Sequence, residues 1–101
     1  MTTRTISFDA SAHSADAIQR AVYRLSDRLS CDITEAGAAF DCTLHVASDD
    51  EDEIERWLAD FRNEVLDQVL RERIRAETAE ARNLILALAF SETGLVDSEE
   101  E

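Results

Sequence analysis

The chain has 101 residues, a length typical of one domain, and its hydrophobic content of 45% is too high for a disordered protein. Its formal net charge is -13, and all ten basic residues are arginine. Nucleic acids and anionic lipid bind cationic surfaces, so this composition argues against nucleic acid or a membrane as a partner.

The N-terminal stretch has no apolar region of the kind found in a secretory signal, and no apolar run reaches the length of a membrane span. Two cysteines do not make a disulfide framework. We therefore expect a cytoplasmic protein with reduced thiols.

The first elements are a strand and a helix. Residues Thr3–Asp9 alternate between apolar and polar side chains, which predicts a strand with one buried face. Ser14 is a suitable N-cap for a helix over Ala15–Ser30. The apolar stripe of this helix recurs at spacings of three and four and comprises Ile18, Ala21, Val22, Leu25 and Leu29.

A β-hairpin follows. Alternation predicts strands over Cys31–Glu35 and Phe40–Val46, joined through Gly37, which is free to adopt a positive φ. The first strand, the helix and the second strand form a βαβ unit, so the first two strands should be parallel or nearly adjacent. The third strand should be antiparallel to its hairpin partner.

A long helix is predicted next, over Glu51–Arg75. The acidic side chains of its first turn favour the positive end of the helix dipole, and Ser48 or Asp49 can cap it. The apolar stripe is lost after Arg75, and Thr78 can cap a new helix there. Because no Pro or Gly interrupts this region, one bent continuous helix is the alternative.

The last apolar segment is Asn83–Phe90, which is apolar nearly all round and therefore predicts a helix buried on most sides. Gly94 followed by Leu95 is typical of a helix end. The complete interpretation is an α+β fold in βαββαα order, with a three-stranded sheet covered on one face by helices. One domain is expected over residues 1–96, with an acidic disordered tail over residues 97–101.

Few residues suggest catalytic chemistry. His45 lies on the predicted non-core face of the third strand, where a metal site would need further converging ligands. Cys31 and Cys42 both face the predicted core; a disulfide is conceivable if the hairpin places them opposite each other, but reduced core thiols are the favoured interpretation. We predict no enzymatic activity, no metal and no cofactor.

Other features favour association with a partner. Trp57 and Phe61 lie on neighbouring turns of the long helix, and the run Leu84–Phe90 is apolar on more faces than a small sheet covers. A three-stranded sheet also has two open edges, which can accept an extended peptide. A homodimer formed through the last helix is one alternative, and core packing of these residues is another.

The predicted partner-binding residues form a polar surface on the long helix and just beyond it. They are Asn63, Glu64, Asp67, Gln68, Arg71, Glu72, Arg82 and Asn83. A solvated helix face is the alternative interpretation of the same residues.

Two stretches carry a family resemblance. They are VLDQVLRERI over Val65–Ile74 and RNLILALAFSETGL over Arg82–Leu95. The first contains Leu70-Arg71-Glu72 and follows an Asn/Asp-rich stretch, Asn63–Asp67, interpreted as a turn. Together with the chain length and the order of elements, these stretches resemble the His-Xaa-Ser system protein HxsD family. The aromatic residue associated with the position before Leu70 in that family is replaced here by Gln68-Val69.

The resemblance implies a pathway rather than a reaction. Such proteins accompany a peptide with His-Xaa-Ser repeats and a pair of radical SAM enzymes, in what looks like maturation of a ribosomal peptide. This chain has neither a His-Xaa-Ser repeat nor a cysteine triplet for an iron-sulfur cluster. The resemblance therefore implies a non-catalytic accessory protein that binds the precursor peptide, the radical SAM maturases, or both.

Overall fold

A computed structural model describes residues 1–93, with side chains described through residue 89. The element order is β1 (Thr2–Asp9), α1 (Ala15–Arg24), β2 (Leu29–Ala36), β3 (Ala39–Val46) and α2 (Glu51–Thr93). The described residues form one compact unit over Met1–Leu70 and a second that begins at Arg71. The α+β class is confirmed, and a single helix takes the place of the last two that the sequence predicts.

The sheet has the order β1-β3-β2, and both outer strands are antiparallel to β3. β1 and β2 therefore run parallel to each other, as predicted, but β3 lies between them. In register, Ile6 and Ile33 flank Cys42, whereas Arg4 and Cys31 flank Leu44. Because alternate residues of a strand face opposite sides, these side chains all lie on the same face of the sheet.

The β2–β3 hairpin is tight. Ala36 pairs with Ala39, so only Gly37 and Ala38 connect the strands. Gly37 has a φ of +61°, in the left-handed region that glycine enters without a steric penalty. The predicted positive φ is confirmed.

Helix α1 is shorter than predicted. Ser14 caps it as expected, and its hydroxyl oxygen accepts a hydrogen bond from the Ala17 amide at 3.0 Å. The helix ends at Arg24, and a turn follows in which the Leu29 amide donates to the Leu25 carbonyl. Leu29 is buried as the first residue of β2 rather than as part of the helix stripe. Its spacing from Leu25 fits either element, which is why the periodicity extended the helix too far.

Helix α2 is continuous over Glu51–Thr93, so the continuous alternative is confirmed and Thr78 does not cap a separate helix. Asp50 occupies the capping position instead of Ser48 or Asp49, since its carboxylate accepts a hydrogen bond from the Asp52 amide at 3.1 Å. The stretch Asn63–Asp67 is helical, and its interpretation as a turn was wrong.

The core lies in the first unit, between one face of the sheet and the two helices. Phe61, Ile18 and Leu44 are fully buried there. Phe61 packs edge-to-face on Phe8, with ring centroids 5.9 Å apart. The predicted covering of one sheet face by helices is confirmed for this unit.

The apolar segment of the second unit is not buried in the chain. Leu84, Ile85, Leu86 and Leu88 are between 46% and 65% exposed, so the prediction of a helix buried on most sides was wrong. The helix end predicted at Gly94 and Leu95, and the tail over residues 97–101, lie outside the described residues.

Candidate functional site

The predicted polar surface is partly used in packing α2 against α1. The Arg24 guanidinium lies 3.1 Å from the Glu64 carboxylate, and the Gln68 amide donates to the same carboxylate at 2.9 Å. Gln68 is only 7% exposed. Glu64 therefore links α2 to α1 through Arg24, and Gln68 holds the Glu64 carboxylate from within α2. The periodicity of the sequence did not reveal these contacts.

The other predicted residues are more accessible. Asn63 is exposed and lines a cleft of about 350 Å³ between the helices, next to the ion pair of Arg28 with Asp60 at 3.1 Å. Asp67 is half-buried at the end of the first unit. The remaining four belong to the second unit, where all except the half-buried Glu72 are exposed: Arg71, Glu72, Arg82 and Asn83.

A second cleft between the helices, of about 400 Å³, is lined by α1 side chains and by Gln68. Tyr23 contributes its ring to this wall and is 80% exposed. Tyr23 lies off the apolar stripe of α1, so the periodicity of the sequence predicted no role for it.

The outer edge of β2 is defined by the phase of its hydrogen bonds. The Ala47 amide donates to the Arg28 carbonyl at 2.8 Å, so Arg28 faces β3 in the ladder. In an antiparallel pair this pattern alternates from residue to residue. The backbone amides and carbonyls of Cys31, Ile33 and Glu35 therefore point away from β3. Among the described residues, no backbone group pairs with them.

A cleft of about 300 Å³ accompanies this edge. It lies between α1 and β2 and is lined by Gln19 and Val22 from α1 and by Cys31, Asp32 and Ile33 from β2. The outward backbone groups of two lining residues thus stand beside a partly apolar depression. Strand β2 contains no Pro, and its edge carries two acidic side chains, Asp32 and Glu35.

The opposite edge, along β1, is occupied only near its two ends, because the outward backbone groups of its middle residues, Thr5 and Ser7, have no partner among the described residues. By the same phase, the Thr3 and Asp9 carbonyls point outward from the sheet. The Thr3 carbonyl accepts a hydrogen bond from the Arg4 side chain, and the Asp9 carbonyl accepts one from the Ala12 amide. The sequence predicted two open edges; both have outward backbone groups without partners among the described residues, and the cleft under α1 lies beside β2.

His45 lies on the sheet face that carries no helix. Its Nε2 is 3.1 Å from a carboxylate oxygen of Asp32, and its Nδ1 is 3.4 Å from the Thr3 hydroxyl. These contacts tie the three strands together across an accessible polar face. Among the described residues, no group of three or more His, Cys, Asp or Glu side chains is placed to hold a metal ion.

The cysteines are free thiols on the core face. Cys31 pairs in register with Leu44, and Cys42 with Ile33, so the two are diagonal neighbours rather than direct partners. A hydrogen bond with Cys42 and burial raise the pKa of the Cys31 thiol. A protonated thiol is a poor nucleophile, so Cys31 contributes a small apolar surface to the β2 cleft.

The fold and its open edge define a small α+β domain with a strand available for pairing. The chain belongs to the His-Xaa-Ser system protein HxsD family, whose model matches residues 8–96. The resemblance found in the sequence is thus confirmed, and the family name refers to a system rather than to a reaction. No curated protein matches the chain, and no solved structure does either. Within the described residues, no helix is both long and apolar enough to cross a membrane.

Proposed function

We propose that this protein is a non-catalytic accessory component of a His-Xaa-Ser system in the cytoplasm, and that it binds the precursor peptide as an added strand along β2. The observation that carries the proposal is the row of outward backbone groups at Cys31, Ile33 and Glu35, beside the cleft under α1.

The physical argument begins with the backbone. An extended peptide lying along β2 would pair its amides and carbonyls with those of Cys31, Ile33 and Glu35, and so extend the sheet by one strand. Peptide side chains alternate between the two sides of the added strand. Those on the inner side would meet the cleft, with Val22 and Ile33 as its apolar part.

The chemistry of this edge suits a polar peptide rich in histidine. Residues 1–70 contain 15 acidic and six basic residues, so the unit attracts cationic chains and protonated imidazole groups. A motif that repeats every three residues places successive histidines on alternate sides of a strand. Asp32 on the outer side, and Gln19 and Glu35 on the inner side, would give hydrogen-bond partners in both positions.

An accessory role follows from combining this edge with the family. A protein that holds the precursor in an extended form would present its repeats to the radical SAM maturases. The predicted surface on α2 would then be the contact for those enzymes. Within the first unit, Asn63 is the member of that surface that is exposed. Binding of the maturases is the second part of the proposal and is tested separately.

The test uses a synthetic peptide that carries several His-Xaa-Ser repeats, with a scrambled peptide of the same composition as control. Titration calorimetry would measure affinity, and amide hydrogen exchange would locate the peptide. We expect slower exchange of the Cys31, Ile33 and Glu35 amides on binding, and little change at the β1 edge. Absence of binding at millimolar peptide would refute the proposal.

A matched pair of variants tests the edge itself. Glu35→Pro removes an outward amide without removing a ladder bond to β3, whereas Glu35→Ala removes only the side chain. A net hydrogen bond contributes about 1 kcal/mol, so the proline variant should bind roughly fivefold more weakly than the alanine variant. Equal affinity of two folded variants would show that the peptide does not pair at this position. Pull-down of the maturases by wild type and by Asn63→Arg tests the second contact.

A further inference from the structure

The second unit exposes a regular apolar seam on α2. Ile74 is 61% exposed, Ile85 is 65% exposed and Leu88 is 57% exposed. A single helix cannot bury side chains of this size by itself. Their spacing along the helix indicates which kind of partner would bury them.

The seam has the spacing of a two-stranded coiled coil. Its positions are Ile74, Thr78, Ala81, Ile85 and Leu88, separated by four, three, four and three residues. In heptad terms, Thr78 and Ile85 occupy a positions and the other three occupy d positions. Among parallel coiled coils, a β-branched residue at a with leucine at d, as in Ile85 and Leu88, favours two strands over three or four.

The charges beside the seam fit a second copy of the same chain. Glu77 falls at a g position and Arg82 at the next e position, five residues later. In a parallel pair, g of one helix faces the following e of the other, so Glu77 would meet Arg82 of the partner twice by symmetry. Neither side chain forms an ion pair with another residue of the described chain.

The distribution of charge along the chain also favours a second copy as the partner. Residues 71–89 contain four arginines and three glutamates, whereas the chain as a whole has a net charge of -13. Two copies repel each other least where they are nearly neutral. An acidic peptide would gain little from the glutamates of this segment, and a basic one would be repelled by its arginines.

We propose that α2 pairs in parallel with α2 of a second copy through this seam. The interface is independent of the β2 edge and of the function proposed for it. Thr78 and Ala81 make the seam short of large apolar contacts, so the dimer is expected to depend on protein concentration.

Sedimentation equilibrium over a wide concentration range tests the pairing with the full chain. Wild type should move from monomer to dimer as concentration rises. Ile85→Asp, which places a charge in the seam, should remain monomeric. The control is Leu86→Asp, which adds the same charge at the adjacent b position, outside the seam, and should still dimerise. A wild type that remains monomeric throughout, or an Ile85→Asp variant that dimerises like wild type, would overturn the proposal.

A charge exchange tests the parallel register. Glu77→Arg and Arg82→Glu should each weaken dimerisation, since each places like charges together in both symmetric pairs. The double variant should recover most of the loss, because the pairs are restored with their signs reversed. Failure of the double variant to recover would overturn the parallel register. Circular dichroism of each variant checks that its helix content equals that of wild type.

Discussion

Phe61 offers the most direct test of how α2 is joined to the sheet. Its side chain is fully buried and meets Phe8 edge-to-face at 5.9 Å. Replacing a buried phenylalanine by alanine costs about 3–5 kcal/mol, from lost transfer free energy and the cavity left behind. Folded proteins have a free energy of unfolding of roughly 0.05–0.15 kcal/mol per residue, so the unit over Met1–Leu70 has a total stability of only about 4–10 kcal/mol. Phe61→Ala should therefore remove around half of it.

Urea unfolding followed by circular dichroism measures this loss. The midpoint should fall sharply for Phe61→Ala while the slope, which reports the surface exposed on unfolding, stays near that of wild type. Leu86→Ala is the matched control, because an exposed residue should change stability by no more than about 0.5 kcal/mol. A loss below about 1 kcal/mol at Phe61 would contradict the packing of α2 on the sheet, because no relaxation of the site could absorb so large a void.

Three further predictions concern single residues. Gly37→Ala should lower the free energy of unfolding measured in urea by about 1 kcal/mol, because a φ of +61° is costly for alanine. No neighbouring atom blocks the added methyl group, so the cost comes from the backbone alone. Gly37→Asn should cost less, since asparagine adopts this region more readily. The Ser11 amide and hydroxyl donate hydrogen bonds that hold the pKa of Asp9 below its usual value. The stability that Asp9 contributes is therefore present above about pH 4 and is lost as the pH falls through the lowered pKa. Asp9→Asn should reduce the loss of stability at acidic pH, and NMR titration of wild type should show the lowered pKa. The Cys31 thiol, whose pKa is raised by its hydrogen bond with Cys42 and by burial, should react slowly with iodoacetamide at pH 8 in the folded protein and rapidly in urea; fast reaction of Cys31 in the native state would contradict its protonation. The same hydrogen bond lowers the pKa of Cys42, so burial alone protects that thiol.

The sheet was largely predictable because strand periodicity is a local signal. Phe40–Val46 alternates without interruption, and the residues predicted to face inward are those that pack on the helices. The order of strands was less accessible. A βαβ unit is compatible with β1 and β2 side by side or with one strand between them, and β3 takes the middle position because both outer strands pair with it.

The errors in the helices have physical causes. Leu25 and Leu29 are four residues apart, a spacing that fits the helix stripe, but the Leu29 amide turns back to the Leu25 carbonyl and starts β2. The apolar run from Leu84 was predicted to be buried because apolar residues normally leave water. Within one chain these residues stay exposed, and this exposure supports the proposed pairing with a second copy.

The candidate site could be predicted only in part from side-chain patterns. The residues predicted from the sequence are polar side chains on a helix; one of them, Glu64, pairs with Arg24 of α1, and Gln68 donates to the same carboxylate within α2. The β2 edge is instead a backbone feature. It depends on which strand lies in the middle and on the phase of the ladder, and neither can be read from composition.

The two proposals can be separated because they rest on different parts of the chain. Peptide pairing depends on β2, in the unit over Met1–Leu70, whereas self-association depends on Ile85 and its neighbours in the unit from Arg71 onward. Glu35→Pro should thus weaken peptide binding and leave the monomer–dimer equilibrium unchanged, and Ile85→Asp should do the reverse. If Ile85→Asp also abolished peptide binding, the functional form would be the dimer, and the precursor would have to contact both copies. If both variants behaved independently, the dimer would instead raise the effective concentration of binding edges for a peptide with several repeats.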